Sequence, residues 1–566
     1  MTVGLVGSGP AAAAVTAALA DVDVSVSQTD PTDLETTELG IVVAVTGEQV
    51  FQRVNTQLQR TPWIAVELGG VGGYPIVDAA VTGFGPETAC YSCLAGRIEA
   101  NVDPDEQPSA APAAPQQRFA GAIAGRAAAT ALTSDDGDIF GQVRTIPEAT
   151  HPLLALPHCD CGSAPERTVE RTSGDRDVEA ALASAELALD ERTGLVSEVG
   201  EVESYPVPYY LARACDTSGF SDATASQEAA GVAGDWNAAL MKALGEALER
   251  YCAGVYRVGN LTEAEPDALD DPVLPSTFVT PDLLDDDQSR YWIEGRQLHD
   301  DRSVSLPAEL VQYPPPEREI RPAITTGLGL GNGTIEALLS GLYEVIERDA
   351  SMLAWYSSFE PLGLDVTDEQ FQTIAARTRA EGLSVTPLLL TQDVDVPVVA
   401  VAVHREGEWP RFALGSAADL DPDAAARSAL AEAVQNWVEL RGMGRDAAAD
   451  ASGAIGWYAD FPEEIETFVN VDQDVSAAVV GPEAVPTGED ELDSVLAQLG
   501  ESDLTAYASR ITTRDVASLG FEAVRVLCPK AQPLFFDDAY FGERARTVPE
   551  SLGFEPRLDR EHHPFP

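Results

Sequence analysis

Apolar and polar positions alternate along this chain with two periods, one near two residues and one near three and a half. Val3–Val6 is a short apolar run, followed by Gly7-Ser8-Gly9-Pro10 and an alanine-rich stretch, which predicts strand, glycine turn and helix. Asp21–Val26 predicts a second strand. Residues 39–46 read as a buried parallel strand, and Thr61–Leu68 as another. Ala120–Leu132 predicts an alanine-rich helix behind a Pro/Ala/Gln-rich surface excursion at Asp103–Gln117. Pro165–Arg176 is polar and charged and reads as an interdomain linker, dividing the chain into residues 1–172 and 173–566. Beyond it, Val178–Leu189 predicts an amphipathic helix, and Glu198–Leu211, Val385–Leu390 and Val398–Val403 predict strands. Asp267–Asp287 reads as an acidic loop and Pro314–Glu317 as a turn, while Arg525–Leu534 begins as a strand. The expected fold class is α/β: a Rossmann-like first domain, then a mixed α/β domain. No repeat of solenoid type appears.

Three predicted helices carry acidic residues in related patterns. In Gly331–Asp349, Leu338, Leu342, Val345 and Ile346 recur at helical spacing, and Asn332 is placed to cap the helix start. Glu336 and Glu344 lie just over two turns apart, with Arg348 one turn beyond Glu344. Lys242–Arg250 places Glu246 and Glu249 at i, i+3, followed directly by Arg250. Ala424–Gly442 places Glu432 and Gln435 at the same spacing. Helices that each present a carboxylate with an amide or a cation can converge on Mg²⁺ and a polyanion; a solvated face with ion pairs is the alternative for each alone. Lys242, one turn before Glu246, is expected to touch a phosphate or to sit on a solvated face.

Composition narrows the setting. The 566 residues carry a formal charge of −58, with two lysines among 35 basic residues. Dispersed acidity with lysine depletion is the pattern of a protein from a salt-accumulating halophile, where molar salt screens self-repulsion within about 3 Å. A basic nucleic-acid surface finds no support. Met1–Ala20 lacks the basic start of a secretory signal, and no apolar run is long enough for a membrane span, so a cytoplasmic protein is expected. Of seven cysteines, Cys90-x2-Cys93 and Cys159-x-Cys161 form two close pairs in turn-rich settings. Such pairs can wrap one structural Zn²⁺; buried free thiols are the alternative, and His158 is a candidate substitute ligand. Gly7-Ser8-Gly9-Pro10-Ala11-Ala12 fits G-x-G-x-x-A, with Asp23 and Asp30 as the nearby acids.

Taken together, Lys242-x3-Glu246-x2-Glu249-Arg250, Asn332-x3-Glu336-x7-Glu344-x3-Arg348 and Glu432-x2-Gln435 resemble the ATP-binding set of the YcaO family, from about residue 173 onward. Lys242 stands where that family commonly has serine. The resemblance implies ATP, with Mg²⁺ on Glu246, Glu249, Glu336 and Glu344, and phosphorylation of a peptide amide oxygen during cyclodehydration to thiazoline or oxazoline, as in the biosynthesis of azole-modified peptides and bacteriocins. Thioamidation or sulfur transfer on a protein or RNA is an alternative, and a non-catalytic scaffold another. Azoline-forming members end Pro-x-Pro-x-Pro and bring that tail into the active site. Here Pro564 and Pro566 match and His562 replaces the first proline, so His562 and Pro566 join Glu344 and Arg348 as catalytic candidates.

The first 165 residues resemble the ThiF-like partner of azoline-forming cyclodehydratases, through the glycine loop, Pro62-Trp63, Cys90-x2-Cys93-Leu94 with Arg97 and Asn101, and the later cysteine pair. Adenylating members have an acid after the middle strand and a lysine near the phosphates. Here Thr46 and Gly47 follow Val45, and no lysine precedes Lys242, which implies a domain degenerate for adenylation. Relatives place a winged-helix leader-binding module ahead of this domain; here the chain opens on the strand. Implied partners are a peptide or protein substrate and a sulfur-donor or dehydrogenase protein, and a homodimer is left open.

Overall fold

The computed structural model describes the chain except residues 59, 103–111, 135–138, 148, 164–165, 452 and 561. A seven-stranded sheet opens the molecule. Its first four members in space, Ser25–Gln28, Thr2–Val6, Leu39–Val45 and Trp63–Leu68, run parallel; Ala79–Phe84, Gln142–Ile146 and Ala149–Pro152 continue it antiparallel. Side chains alternate across it as the period of two demands. Ile41, Val43, Ile64, Val66 and Val81 share a core with helices Pro10–Leu19 and Ala114–Thr133. Val42, Ala65 and Ala80 pack on the other face with Phe51, Val54, Tyr91 and Leu94. The second strand starts later than expected because the chain turns at Asp21–Asp23, where Val24 N–H donates to Val22 O at 2.7 Å. The predicted excursion at Asp103–Gln117 lies partly outside the described residues, and its end already belongs to the helix that starts at Ala114.

Three further sheets follow. One has three antiparallel strands in the order Glu228–Val232, Tyr209–Ala214, Val196–Glu203. A six-stranded sheet runs Thr262–Ala264, Arg290–Gln297, Tyr507–Arg510, Glu522–Leu527, Leu328–Gly331, with Arg302–Pro307 also paired to Arg290–Gln297. A five-stranded sheet runs Phe412–Ala418, Val398–His404, Ser384–Leu389, Leu362–Asp365, Asp474–Ser476. The strand expected at the start of Arg525–Leu534 spans Glu522–Leu527 and stops before Cys528-Pro529, where proline has no N–H for the ladder. The architecture is mixed α/β. The described linker residues lie docked on the second part of the chain: Arg167 donates to Arg510 O and Arg171 to Leu298 O and Asp493. One continuous core joins Phe51 and Leu94, on helices packed against the first sheet, to Leu244, Leu248 and Tyr251 of helix Trp236–Gly254.

Candidate functional site

The three acidic helices are Trp236–Gly254, Thr334–Trp355 and Pro422–Met443, and each is laid on a strand by the same device. A strand glycine lets the helix backbone approach closely. A Cβ on Gly231 would meet Ala239 O at 2.3 Å, one on Gly329 would meet Ala337 O at 2.1 Å, and one on Gly415 would meet Ala429 O at 2.4 Å. One carboxylate per helix then accepts an N–H from that strand or from the residue just before it: Glu246 from Ala230 at 2.7 Å, Glu344 from Gly327 at 3.0 Å, Glu432 from Ser416 at 2.7 Å. Those bonds fix the height and rotation of each helix over its strand and turn its acidic face to a common space.

That space is a cavity of about 880 Å³. Lys242, Glu246, Glu249 and Arg250 line it from the first helix, and Glu336, Ser340, Glu344 and Arg348 from the second. Glu432 lines it from the third, and Pro566 closes part of the wall. Lys242 also borders a smaller cavity of about 290 Å³ beside Asp235, Ile374 and Arg427.

Charge dominates the cavity. Burial pushes the Glu249 carboxyl up to about 8, against the pull of Arg250 and with the push of Glu344. Glu347, just behind the wall, is likewise raised to about 8 by burial, although Arg348 opposes the shift and Ser416 Oγ donates to it at 2.6 Å. Burial also raises Glu432. Lys242 reaches solvent through the cavity, yet the surrounding protein holds its ammonium below the usual lysine range while Glu432 opposes the shift. Burial lowers Arg525 to about 9; its Nη atoms donate to Thr325 O and Ile324 O at 2.7 and 2.8 Å. Arg250 donates to Glu246 at 2.8 Å, and Arg348 to Pro566 O at 2.8 Å. The Nε atoms of Arg250, Arg348 and Arg525 are buried without a hydrogen-bond partner. Carboxylates crowded enough to retain protons want a divalent cation, and guanidinium nitrogens left without acceptors want an anion. The donor set therefore fits Mg²⁺ held together with a polyphosphate.

Three expected residues stand elsewhere. Asn332 does not cap its helix: Thr172, from the linker, accepts the Thr334 and Ile335 N–H groups at 3.1 Å through Oγ1 and O. The Asn332 side chain packs beside Gly174 outside the cavity lining, its Oδ1 buried without a partner, while its main-chain N–H donates to Glu336 at 2.9 Å. Gln435 also lies outside the lining, because Glu439, one turn on, accepts its Nε2–H at 2.9 Å. His562 is exposed and is held through its carbonyl by Tyr458 Oη, so its ring is not placed for proton transfer in the cavity. Its neighbour His563 is the buried one, 4% exposed and bonded to Phe535 O at 2.6 Å; burial lowers it to about 4. It pins the segment that delivers Pro566. Arg250, the last residue of the first motif, lines the cavity too, and Ser340 is a lining residue that the motifs do not include, although it completes the four-residue stripe Glu336, Ser340, Glu344, Arg348.

The cysteines come together. Cys90, Cys93, Cys159 and Cys161 place their sulfurs within 4.8 Å of one another, with Cys90–Cys159 at 3.6 Å and Cys93–Cys161 at 3.5 Å. Four sulfurs at 2.3 Å from one Zn²⁺ would stand about 3.8 Å apart, so the cluster can hold that ion. His158 is not part of it. After the first strand, Gly9 takes the N-cap position of Pro10–Leu19 with φ 94°. Thr46 Oγ1 donates to the buried Glu67, which also accepts from Gly72, Gly73 and Tyr91.

Residues 230–532, more than half of the chain, match the family model described as YcaO cyclodehydratase, ATP- and Mg²⁺-binding. The chain belongs to the YcaO family. An uncharacterized protein of Methanothermobacter thermautotrophicus is 28% identical over 326 residues, 54% of this chain and 82% of its own length. Among solved structures, a heterocyclase in complex with substrate and cofactor superposes with a TM-score of 0.73 at 20% identity, covering 98% of this chain and 83% of that one. The YcaO protein of Methanopyrus kandleri bound with AMPPCP and Mg²⁺ does so at 0.54 and 23% identity, covering 67% of this chain and 98% of its own. At such identities the likeness is one of fold. Among the described residues, no helix is long and apolar enough to cross a membrane.

Proposed function

We propose that this YcaO protein activates a peptide backbone amide by ATP-dependent O-phosphorylation, leading to ring closure to a thiazoline or oxazoline. The observation that carries the reading is one cavity lined by carboxylates of three helices together with Lys242, Arg250 and Arg348, the two arginines each keeping a buried Nε without a hydrogen-bond partner. Glu246, Glu249, Glu336 and Glu344 would hold Mg²⁺, which screens the triphosphate charge. Lys242, Arg250 and Arg348 would hold phosphate oxygens, and Arg348 would oppose charge growing on the transferred group. A side-chain thiol or hydroxyl of the substrate adds to the amide carbonyl. The resulting oxygen takes the γ-phosphoryl group, and phosphate leaves as the nitrogen loses its proton and the C=N bond forms. Water loss from an amide is otherwise blocked by a poor leaving group. Glu249, raised to about 8, can carry a proton near neutral pH until the cation displaces it. Asn332 and Gln435 support the site from outside the lining.

The residues up to about 172 are read as a ThiF-like domain that no longer adenylates and presents substrate, with Zn²⁺ on the four cysteines as a structural clamp. The test is product analysis in molar KCl with a Cys- or Ser-containing peptide. ADP and phosphate together with a product lighter by one water support the reading. AMP and pyrophosphate would overturn it. Sulfide in place of a side-chain nucleophile would use the same activation step and give a thioamide, which product mass distinguishes.

A further inference from the structure

The cysteine cluster and the nucleotide cavity are joined by a chain of buried groups. Cys90 and Cys93 bracket the start of helix Tyr91–Asn101, and Arg97 follows Cys93 by about one turn. Arg97 is 0% exposed. Its Nη2 donates to Asp515, also 0% exposed, and to Ala155 O at 3.2 Å; its Nε donates to Leu154 O at 3.4 Å. Both arms of the cysteine cluster therefore define where Arg97 sits: one carries it, and the other, ending at Cys159 and Cys161, supplies its carbonyl acceptors. Arg514, beside Asp515, donates to Cys161 Sγ at 3.3 Å. On the far side, Arg97 Nη1 donates to Tyr251 Oη at 3.2 Å, and Tyr251 donates to Asp515 at 2.7 Å. Tyr251 directly follows Arg250 on the first acidic helix, which also carries Glu246 and Glu249.

We infer that Tyr251, held by Arg97 and Asp515, is a positioning residue through which the cysteine cluster sets the register of the Glu246–Arg250 face in the cavity. The inference rests on the nucleotide reading of that cavity. A buried Arg–Asp pair stripped of either member leaves an isolated charge, so Arg97 or Asp515 variants would lose the fold as well as the link. Tyr251→Phe keeps the pair and the ring volume and removes the bridging hydroxyl alone. A shift of well under one ångström in Glu246 and Glu249 is enough to spoil metal geometry.

The test is a thermodynamic cycle on the full chain: Mg²⁺–AMPPCP binding by calorimetry, with wild type and Tyr251→Phe, each before and after a chelator removes metal, with circular dichroism confirming that each stays folded. Metal removal should weaken wild-type binding about tenfold, and Tyr251→Phe should do the same. Chelation of the variant should add less than twofold. Losses that multiply independently, or unchanged affinity in Tyr251→Phe, would overturn the link. Absence of AMPPCP binding by the wild type would sink the nucleotide reading itself, and the link with it.

Discussion

Replacing Glu249 with glutamine should move stability and ligand binding in opposite directions. The folded carboxyl titrates near 8, against 4.5 for the free group. The folded protein therefore holds a proton that the unfolded chain has lost, and stability falls as pH rises from about 4.5 through 8. At about 1.4 kcal/mol per unit, the three units from pH 5 to 8 set an upper figure of about 4 kcal/mol. The side chain is 17% exposed to a solvent-filled cavity and lies beside Arg250, so about 2 kcal/mol is the working value. Glutamine has no such proton to lose. The unfolding free energy of Glu249→Gln, measured by urea titration in molar KCl and followed by tryptophan fluorescence, should gain on wild type by about 2 kcal/mol between pH 5 and pH 8. The same variant should lose Mg²⁺–AMPPCP binding by at least tenfold, because a neutral amide replaces an anionic ligand. A stability difference that does not change with pH, or a variant weaker than wild type at pH 8, would refute the account of this buried carboxyl.

Elemental analysis of the purified protein should find about one zinc per chain, and Cys93→Ser should remove it; a metal-free protein with its first sheet intact would contradict the clamp. His563 is lowered to about 4 from 6.5, so its contribution is complete above pH 6.5 and is lost as pH falls toward 4. Amide exchange at Phe565, corrected for intrinsic rate, should accelerate by at least tenfold between pH 7 and pH 4.5, and unchanged protection would contradict the pinning role. Pyrophosphate exchange should be undetectable at every substrate tried, since no lysine accompanies the glycine loop of the first sheet.

Much of this was legible where the signal is local. The Glu336–Glu344–Arg348 stripe and the Glu246–Glu249 pair could be read from spacing alone, because an α-helix repeats a face every three to four residues. Ser340 lies on the same stripe and escaped because a serine carries no charge to draw attention. The long-range features were not legible. Thr172 caps a helix that starts at Thr334, 162 residues later, and so displaced the local capping role given to Asn332. Arg97 finds Asp515 across 418 residues, and no periodicity reports that contact. His562 and His563 are adjacent in sequence, and packing against Phe535 decides which of them is buried. Nothing local marks the glycines at 231, 329 and 415 as the points where a helix is admitted onto a strand, because the helix backbone each one meets lies eight or more residues further along the chain.

The central claim is that three helices build one Mg²⁺–nucleotide site. Calorimetric titration of Mg²⁺–AMPPCP into wild-type protein and Glu344→Gln, in molar KCl, tests it most directly. Glutamine keeps an acceptor for the Gly327 N–H, which Glu344 now receives at 3.0 Å, so the fold is expected to survive. Magnesium-dependent binding at one site per chain in the wild type, weakened at least a hundredfold in the variant with an unchanged melting temperature, is the predicted result. Equal affinity in the two proteins, or wild-type binding that ignores magnesium, would contradict it.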